Sequence, residues 1–491
     1  MKKNSLWLDG INIKVCQPLK QDKEVDVLII GGGMTGISTA YHLRNSNLKV
    51  CLVDQNLVAH GVSSKTTGKL TFLQELIYTK LDKEYSIEVA NKYLKSQQEA
   101  IKIVEKIISD NNIDCNFTKV DSYLFTDKIN EIDKIKEEKK ILEKLGVKIE
   151  EFNDLPINIK CYCAIKVSDT AVFHPVKYLE ALKELCLNSG IEIYEKTKII
   201  EIKKEHGEYI CSTIHNKIKA KQVVLACHYP FFLLPFFFPL KGHLERSYLS
   251  ASKVLGPKDF SAINVSKEIK SCRYHYNGDK SYFIYLNGSH NMSKKFDVKT
   301  NFEDLIQDLK ELGINPDYIW SNHDIITNDY LPYIGILEDN LLIGTGYNTW
   351  GMTNGSLSGK IISDIILGKE NDYISLFNPK RKKPISNILG VANDIFSSAK
   401  PFIENKICKN KQFYSKNIKF ETRKGKAVAI YIDDQNKEHI VYNKCPHLKC
   451  SLIFNEVEKT WDCPCHGSRF DIDGKCIQGP SCYDIEYHEK E

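Results

Sequence analysis

Two short boxes near the C-terminal end of this 491-residue chain bring together side chains that bind metal. The first reads Cys445-Pro-His447-Leu-Lys-Cys450, and the second Cys463-Pro-Cys465-His466-Gly467-Ser468. Each box supplies one thiolate and one imidazole, Cys445 with His447 and Cys463 with His466. A [2Fe–2S] cluster held by two cysteines on one iron and two histidines on the other takes this donor set. A Cys2His2 zinc site uses the same ligand types and is the alternative. Zinc boxes usually group Cys with Cys and His with His, whereas here each box is mixed. A four-ligand zinc site also leaves Cys450 and Cys465 without a role. The cluster reading makes the chain an electron-transfer protein.

A second chemical signature lies near the N-terminus. Val25-Asp-Val-Leu-Ile-Ile30 is a short apolar run of strand type, and Gly31-Gly-Gly33-Met34-Thr35-Gly36 follows it directly. A helix is expected over Ile37–Arg44, then a strand over Leu48–Val53 that ends at Asp54. A G-x-G-x-x-G turn between strand and helix, with an acid closing the next strand, is a dinucleotide-binding arrangement. The glycines allow a tight turn and close approach of a pyrophosphate to the positive end of the helix dipole. Asp54 is placed to accept the ribose hydroxyls. Gly61-Val-Ser63-Ser64-Lys65-Thr66-Thr67-Gly68 offers free amides and hydroxyls soon afterwards. Far along the chain, Leu341–Gly346 reads as a buried strand and turn. Gly351, Met352 and Thr353 then open a helix whose N-terminus can face a flavin edge.

These residues resemble the D-amino acid oxidase/glycine oxidase group of FAD-dependent enzymes over about residues 24–368. The match lies in Gly31–Gly36 with Asp54, Gly61–Gly68, and Phe173-His174-Pro175 with Tyr178-Leu179. It continues in Val223–Pro230, Trp320–Asp324, Asp329–Gly335 and Gly344–Gly355. The C-terminal boxes resemble Rieske domains, so the whole chain is similar to bacterial flavoproteins fused to a Rieske domain. The resemblance implies a Rossmann-type, glutathione-reductase-like α/β FAD domain with an inserted α+β substrate cap, followed by a small all-β Rieske domain. It implies bound FAD, a Rieske [2Fe–2S] cluster and a disulfide between Cys450 and Cys465. The implied FAD contacts are Gly31, Gly33, Met34, Thr35, Gly36, Asp54, Gly61, Ser63, Ser64, Lys65, Thr66, Thr67, Ile199, Gly346, Gly351, Met352 and Thr353.

Two departures from the pattern matter. Lys65 stands where some relatives carry the histidine that tethers FAD, and no cysteine lies between Cys272 and Cys408. Non-covalent FAD is therefore expected. Phe470 stands where high-potential Rieske proteins tend to carry Tyr. With only Ser468 left to donate to a cluster sulfur, the potential should fall low in the range of roughly −150 to +300 mV.

The expected activity is hydride transfer from a small amine or amino acid to flavin. Electrons would then leave singly through the cluster to a one-electron acceptor, with a partner protein among the candidates. The alternative is a flavin–Rieske relay or redox sensor without a small substrate. A Rieske oxygenase fits poorly, because only 25 residues follow His466. Weak candidates for substrate contact are Arg273, Tyr274 and His290, beside His275 and Tyr276. Arg273 could pair with a carboxylate.

Composition narrows the class. Hydrophobic content of 42% with 27% charged residues is that of an ordinary globular protein, and a net charge of +5 does not imply nucleic acid. The N-terminus lacks an apolar run after its two lysines, so no signal peptide is expected. The apolar stretch Val223–Leu240 is broken by Pro230, Pro235 and Pro239, which argues against a transmembrane segment. A cytoplasmic location follows from these features.

FAD-binding segments are expected near 24–75, 155–235 and 320–368, with cap insertions near 76–154 and 236–319. The first insertion shows helical periodicity over Asn91–Ile108 and Glu131–Leu145, and the second reads as strands, as at Ser281–Leu286. Residues 369–410 are the expected linker. Ser386–Lys400 within it has apolar residues at helical spacing, to dock on a neighbouring domain or, alternatively, touch a membrane surface. The Rieske domain is expected over 411–491.

Overall fold

The computed structural model describes residues 1–230, 241–292, 298–381 and 416–488. The helix expected over 386–400, most of the linker and the second half of the apolar stretch at 223–240 lie outside the described residues.

The apolar run at Lys23–Ile30 forms the centre of a parallel sheet. It pairs with Lys217–Leu225 on one side and Val50–Val53 on the other. Leu341–Thr345 and Glu192–Tyr194 extend the sheet at either side. Strands covered on both faces read as continuous apolar runs, which is why VCLV at Val50–Val53 is buried throughout. Met34–Leu43 and Gly351–Ile366 pack together so closely that a Cβ on Gly359 would lie 2.3 Å from the Cβ of Ser38. Both helices begin at the same end of the sheet, so their unsatisfied N–H groups converge there.

A nine-stranded sheet stands over that end. Its long strands Gly242–Lys253 and Tyr318–Thr327 are antiparallel, with Glu245 opposite Asp324 and Arg246 opposite His323. Side chains alternate between faces along a strand, so Glu245 and Asp324 share one face while Arg246 and His323 share the other. Cys163–Val172 and Tyr318–Thr327 also belong to this sheet. It therefore draws on more of the chain than the two expected insertions. Helix Ile87–Asp110 packs on Gly351–Ile366, and helix Ile132–Lys144 covers the sheet's flank at Thr118–Thr126 and Cys163–Val172. The first is capped by Ser86 and buries Ala90, Tyr93, Leu94, Gln97, Ile101 and Val104 on one stripe.

The C-terminal part is all-β, a three-stranded sheet (Ile418–Arg423, Lys426–Ile432, Glu438–Tyr442) and a four-stranded one from Ile453 to Gln478. Tyr431, Phe454 and Trp461 stack in the core between them. Among the described residues, no helix is long and apolar enough to cross a membrane.

Candidate functional site

One cavity runs from the glycine-rich turn, past the Gly61–Gly68 loop, to the underside of the nine-stranded sheet. It is lined by Gly31, Gly33, Met34, Thr35, Asp54, Gly61, Ser63, Lys65, Thr66, Thr67, Ile199, Gly351 and Met352 among the residues expected to hold FAD. Gly36, Ser64, Gly346 and Thr353 do not line it and act by packing instead. A Cβ on Gly36 would fall 1.8 Å from the Gly31 carbonyl oxygen, so only glycine lets the helix start this close to the strand. Gly346, at φ +75°, has Thr327 Cγ2 where a Cβ would stand.

Asp54 closes its strand as the sequence predicts. Its carboxylate accepts the Gly32 and Asn56 N–H groups, both at 2.7 Å. Burial pushes its pKa up, and the two N–H donors pull it down. The first helix has no side-chain cap of its own; Ser63 Oγ accepts the Met34 N–H at 3.1 Å. The helix at Gly351 likewise starts without a side-chain cap and opens into the cavity. Two helix N-termini, an acid closing the second strand and a hydroxyl-rich loop along one continuous cavity fit a dinucleotide of the length of FAD.

The loop itself is held from outside. Trp7, fully buried, donates from Nε1 to the Thr66 carbonyl at 2.6 Å, and Ser5 Oγ donates to the Ser64 carbonyl at 2.5 Å. Trp320 Nε1 donates to the Lys65 carbonyl at 3.0 Å. Nothing in the N-terminal sequence signals this clamp, because its partners are backbone carbonyls that any residue could supply.

The weak substrate-contact candidates are not in the cavity wall. Arg273 is buried and spends Nη1 and Nη2 on the carbonyls of Gly68 and Phe173, at 3.1 and 3.2 Å. Its role is to brace the loop, and it is not placed to grip a substrate carboxylate. Tyr274, one residue on, points to the opposite face into the Phe260–Phe283 cluster. His290 Nε2 is 2.9 Å from the Tyr248 hydroxyl, outside the cavity. His275 stacks edge-on to Trp7 and His174, and Tyr276 donates to Asp259. The cavity wall from this sheet is instead Glu245, Ser247, Leu249, Asn322 and Asp324, with Lys69 and Ser271 further along. Lys69 Nζ donates to Ala262 O and Ser271 Oγ, and burial lowers its pKa to about 7.

In the C-terminal domain, both predicted boxes sit at loop tips that face each other. Cys450 and Cys465 are joined by a disulfide. Cys445 and Cys463 are buried and adjacent. A hydrogen bond from Cys463, supported by the His447 and Leu448 N–H groups and Ser468, lowers the Cys445 pKa to about 7 against the effect of burial. The His447 and His466 rings lie 5.0 Å apart, and burial lowers their pKa values to about 4 and about 3. Neutral imidazoles and a thiolate-prone cysteine are the protonation states that metal binding requires. His447 Nδ1 is buried without a hydrogen-bond partner, as an atom reserved for a ligand would be. The donor set fits the cluster. Phe470 is buried and pairs with Trp461 across the sheet, away from any donor role.

The two sites meet. Ile477, Gln478, Gly479, Pro480, Ser481 and Cys482 of the C-terminal domain line the same cavity as Asp54 and Lys65. Asn56 Nδ2 donates to the Ile477 carbonyl at 3.1 Å, and Gln478 Nε2 lies 3.3 Å from His323 Nε2. The His466 ring is 5.3 Å from Tyr229, which also lines the cavity. Gly467 packs directly on His323, so that a Cβ there would be 2.7 Å from Nε2. A buried ion-pair chain fastens the contact. Arg246 Nη1 meets Asp462 at 2.6 Å, Arg469 meets Asp462 at 3.1 Å and Glu458 at 2.9 Å, and Glu458 accepts from Ser321.

A flavin cavity under a cap sheet, sealed by a domain with a two-Cys, two-His cluster site, defines a flavin- and iron–sulfur-containing oxidoreductase. The comparisons agree. Residues 26–365 match the family described as FAD dependent oxidoreductase, and residues 404–488 match the Rieske [2Fe-2S] domain. A Bacillus subtilis (strain 168) protein, YhfW, named as a Rieske 2Fe-2S iron-sulfur protein, is 32% identical over 97% of this chain and 95% of its own length. Gamma-glutamylputrescine oxidoreductase of Escherichia coli (strain K12) is 20% identical, covering 73% of this chain and 88% of that protein. Glycine oxidase from Geobacillus kaustophilus superposes with a TM-score of 0.62 at 15% identity, over 73% of this chain and 99% of its own. The chain belongs to the FAD-dependent oxidoreductase family and carries a C-terminal Rieske domain. It is an oxidoreductase whose cofactors are FAD and a [2Fe–2S] cluster.

Proposed function

We propose that this protein is a dehydrogenase of a small amine or amino acid that sends electrons one at a time from FAD, through the Rieske cluster, to an external acceptor. The observation that carries the reading is the seating of the cluster domain. A ligand of the cluster, His466, packs on Tyr229 of the flavin cavity wall, and its neighbour Gly467 packs on His323. The rings of His323 and His228 are 5.4 Å apart, and His228 also lines the cavity. Burial keeps His228 neutral, with a pKa lowered to about 4. This seating would put the cluster beside the flavin cavity without domain motion. Similarity to an amine-metabolising oxidoreductase supports the substrate class.

Asp54 and the N-termini of the helices at Met34 and Gly351 would hold FAD, and Cys445, His447, Cys463 and His466 the cluster. FAD bound there would supply an acceptor for hydride from the C–H beside the substrate nitrogen, whose lone pair would close a C=N bond. The cap-sheet residues orient that C–H, and the cluster domain keeps water from the cavity mouth. FAD is held without a covalent bond, since Lys65 offers no tether to the ring. Acid precipitation should release the yellow colour, and colour left in a washed pellet would overturn this.

The test of the division of labour is anaerobic stopped-flow with a panel of amines and amino acids. Cys463→Ser, which removes a thiolate from the cluster, should keep flavin bleaching and lose delivery to one-electron acceptors. Loss of bleaching with FAD and fold intact would place the cluster in the chemical step. Absence of bleaching by every compound would favour a redox relay without a small substrate.

A further inference from the structure

The cap-sheet wall of the cavity gathers acceptors that the described residues leave short of donors. Glu245 and Asp324 are directly opposite on adjacent antiparallel strands and face the cavity together. Like charges in that relation repel. Glu245 has Ser289 Oγ at 3.3 Å and His243 Nε2 at 3.5 Å. Asp324 has no hydrogen-bond or ion-pair partner among the described residues, and burial with Glu245 beside it raises its pKa to about 7. Glu75 also lines the cavity, close enough to Glu245 for mutual repulsion. Independently of these acids, Asn322 shares the Asp324 face, is only 5% exposed and lines the cavity, yet its Oδ1 is buried with no partner. Leaving a buried acceptor unsatisfied is costly, so such a group is usually matched by something that binds.

Among the described residues, the arginine and lysines nearby do not fill this need. Arg246 points to the other face, to Asp462. Lys69 is committed to Ala262 and Ser271, the latter on a strand two places removed from that of Glu245, about 10 Å at the usual strand spacing. Lys65 and Lys198 line the cavity at the end where the cluster domain enters, beside Gln478 and Cys482.

We infer that Glu245, Asp324 and Asn322 form a cation subsite, and that the substrate is an amine carrying a second, permanently protonated nitrogen and no carboxylate at that end. The inference rests on the dehydrogenase reading above and gives its substrate class. The chemistry requires two nitrogens. The reacting amine must have its lone pair free to release hydride, so a carboxylate pair that stabilises protonation does not suit it. A second nitrogen that stays charged does. Arg273, bound to backbone carbonyls, leaves the wall with no arginine to hold a substrate carboxylate.

The experiment uses the full-length holoprotein and a matched series: 1,4-diaminobutane with its homologues of three to six carbons, butylamine, and 4-aminobutanoate. Anaerobic titration reads flavin bleaching and the perturbation of the flavin spectrum. The best diamine should bind at least tenfold more tightly than butylamine, and 4-aminobutanoate more weakly than either. Asp324→Asn and Glu245→Gln should each bring the diamine to within a few-fold of butylamine while FAD content is kept. Asp324→Asn serves if Glu245→Gln fails to fold, and the reverse. Tighter binding of 4-aminobutanoate or of α-amino acids than of any diamine would overturn the cation subsite and leave the dehydrogenase reading standing. So would diamine selectivity unmoved in the variants. A flavin that no amine or amino acid bleaches or perturbs would sink both.

Discussion

Two faces of one pair of strands carry opposite electrostatic designs. On the outer face of Gly242–Lys253 and Tyr318–Thr327, Arg246 and Ser321 meet Asp462 and Glu458 of the Rieske domain, and each charge has an opposite partner. On the inner face, Glu245 and Asp324 stand side by side; among the described residues Glu245 meets His243 and Ser289, and Asp324 has no partner. The acids respond accordingly. Burial alone would raise Asp462, but Arg246 and Arg469 hold it at about 2. Burial raises Asp324 to about 7, and Glu245 adds to the rise. A buried charge that is paired holds domains together, and one left unpaired marks a place where a ligand brings the missing charge.

The comparison can be broken hardest on the paired side. Asp462→Ala would strand Arg246 in the buried interface and leave Arg469 with Glu458 alone. Losing one partner of a buried pair costs about 3–5 kcal/mol, so domain docking should fail while each domain stays folded. Limited proteolysis of the linker and the rate of cluster reduction after flavin bleaching check this: cleavage should quicken and electron transfer should slow. An apolar replacement of both partners, Arg246→Met with Asp462→Leu, should restore docking, because no charge is then left unpaired. Docking that survives Asp462→Ala would mean that the apolar and backbone contacts at Gly467, Ile477 and Gln478 suffice.

Asp54 is intermediate, a cavity acid already satisfied on part of its surface by the Gly32 and Asn56 N–H groups. Asp54→Ala should weaken FAD by about 1.5–3 kcal/mol, the worth of charge-assisted bonds to ribose. FAD retention after dialysis measures it. Unchanged retention would move the ribose contact elsewhere on the loop.

How far the sequence revealed these sites follows from how local each is. The cluster ligands fall within two boxes of six residues, so their chemistry reads directly from the chain. The glycine turn and Asp54 are nearly as local, since a single strand–helix–strand unit positions them. The substrate wall is not local. Glu245 and Asp324 become neighbours only through strand pairing, and nothing near either one in sequence announces the other. Arg273 was the more conspicuous residue, a lone cation among aromatics, yet strand direction aims it at the Gly61–Gly68 loop. The clamp by Trp7 and the seating of Gly467 on His323 are likewise invisible, because they depend on segments that fold back from opposite ends of the chain.

The smallest effect is the most direct comparison of the two acids, and it concerns pH. Asp324 has its folded pKa raised from about 3.8 to about 7. The folded protein therefore binds this proton more tightly than the unfolded chain, and ionising it costs stability that is absent below pH 4 and grows until pH 7. Asp462 has the opposite sign: its lowered pKa contributes stability that is full above pH 4 and lost as pH falls towards 2. Asp324→Asn removes the titration without changing shape. Its melting temperature should exceed the parent's by a wider margin at pH 8 than at pH 5, by roughly 2–4 °C for each 1 kcal/mol recovered. A saturating diamine should erase the gap by supplying the parent with its missing cation. A gap that is the same at both pH values would mean that Asp324 is not a buried, unpaired acid. The inner face would then owe its acceptors to solvent and not to a ligand.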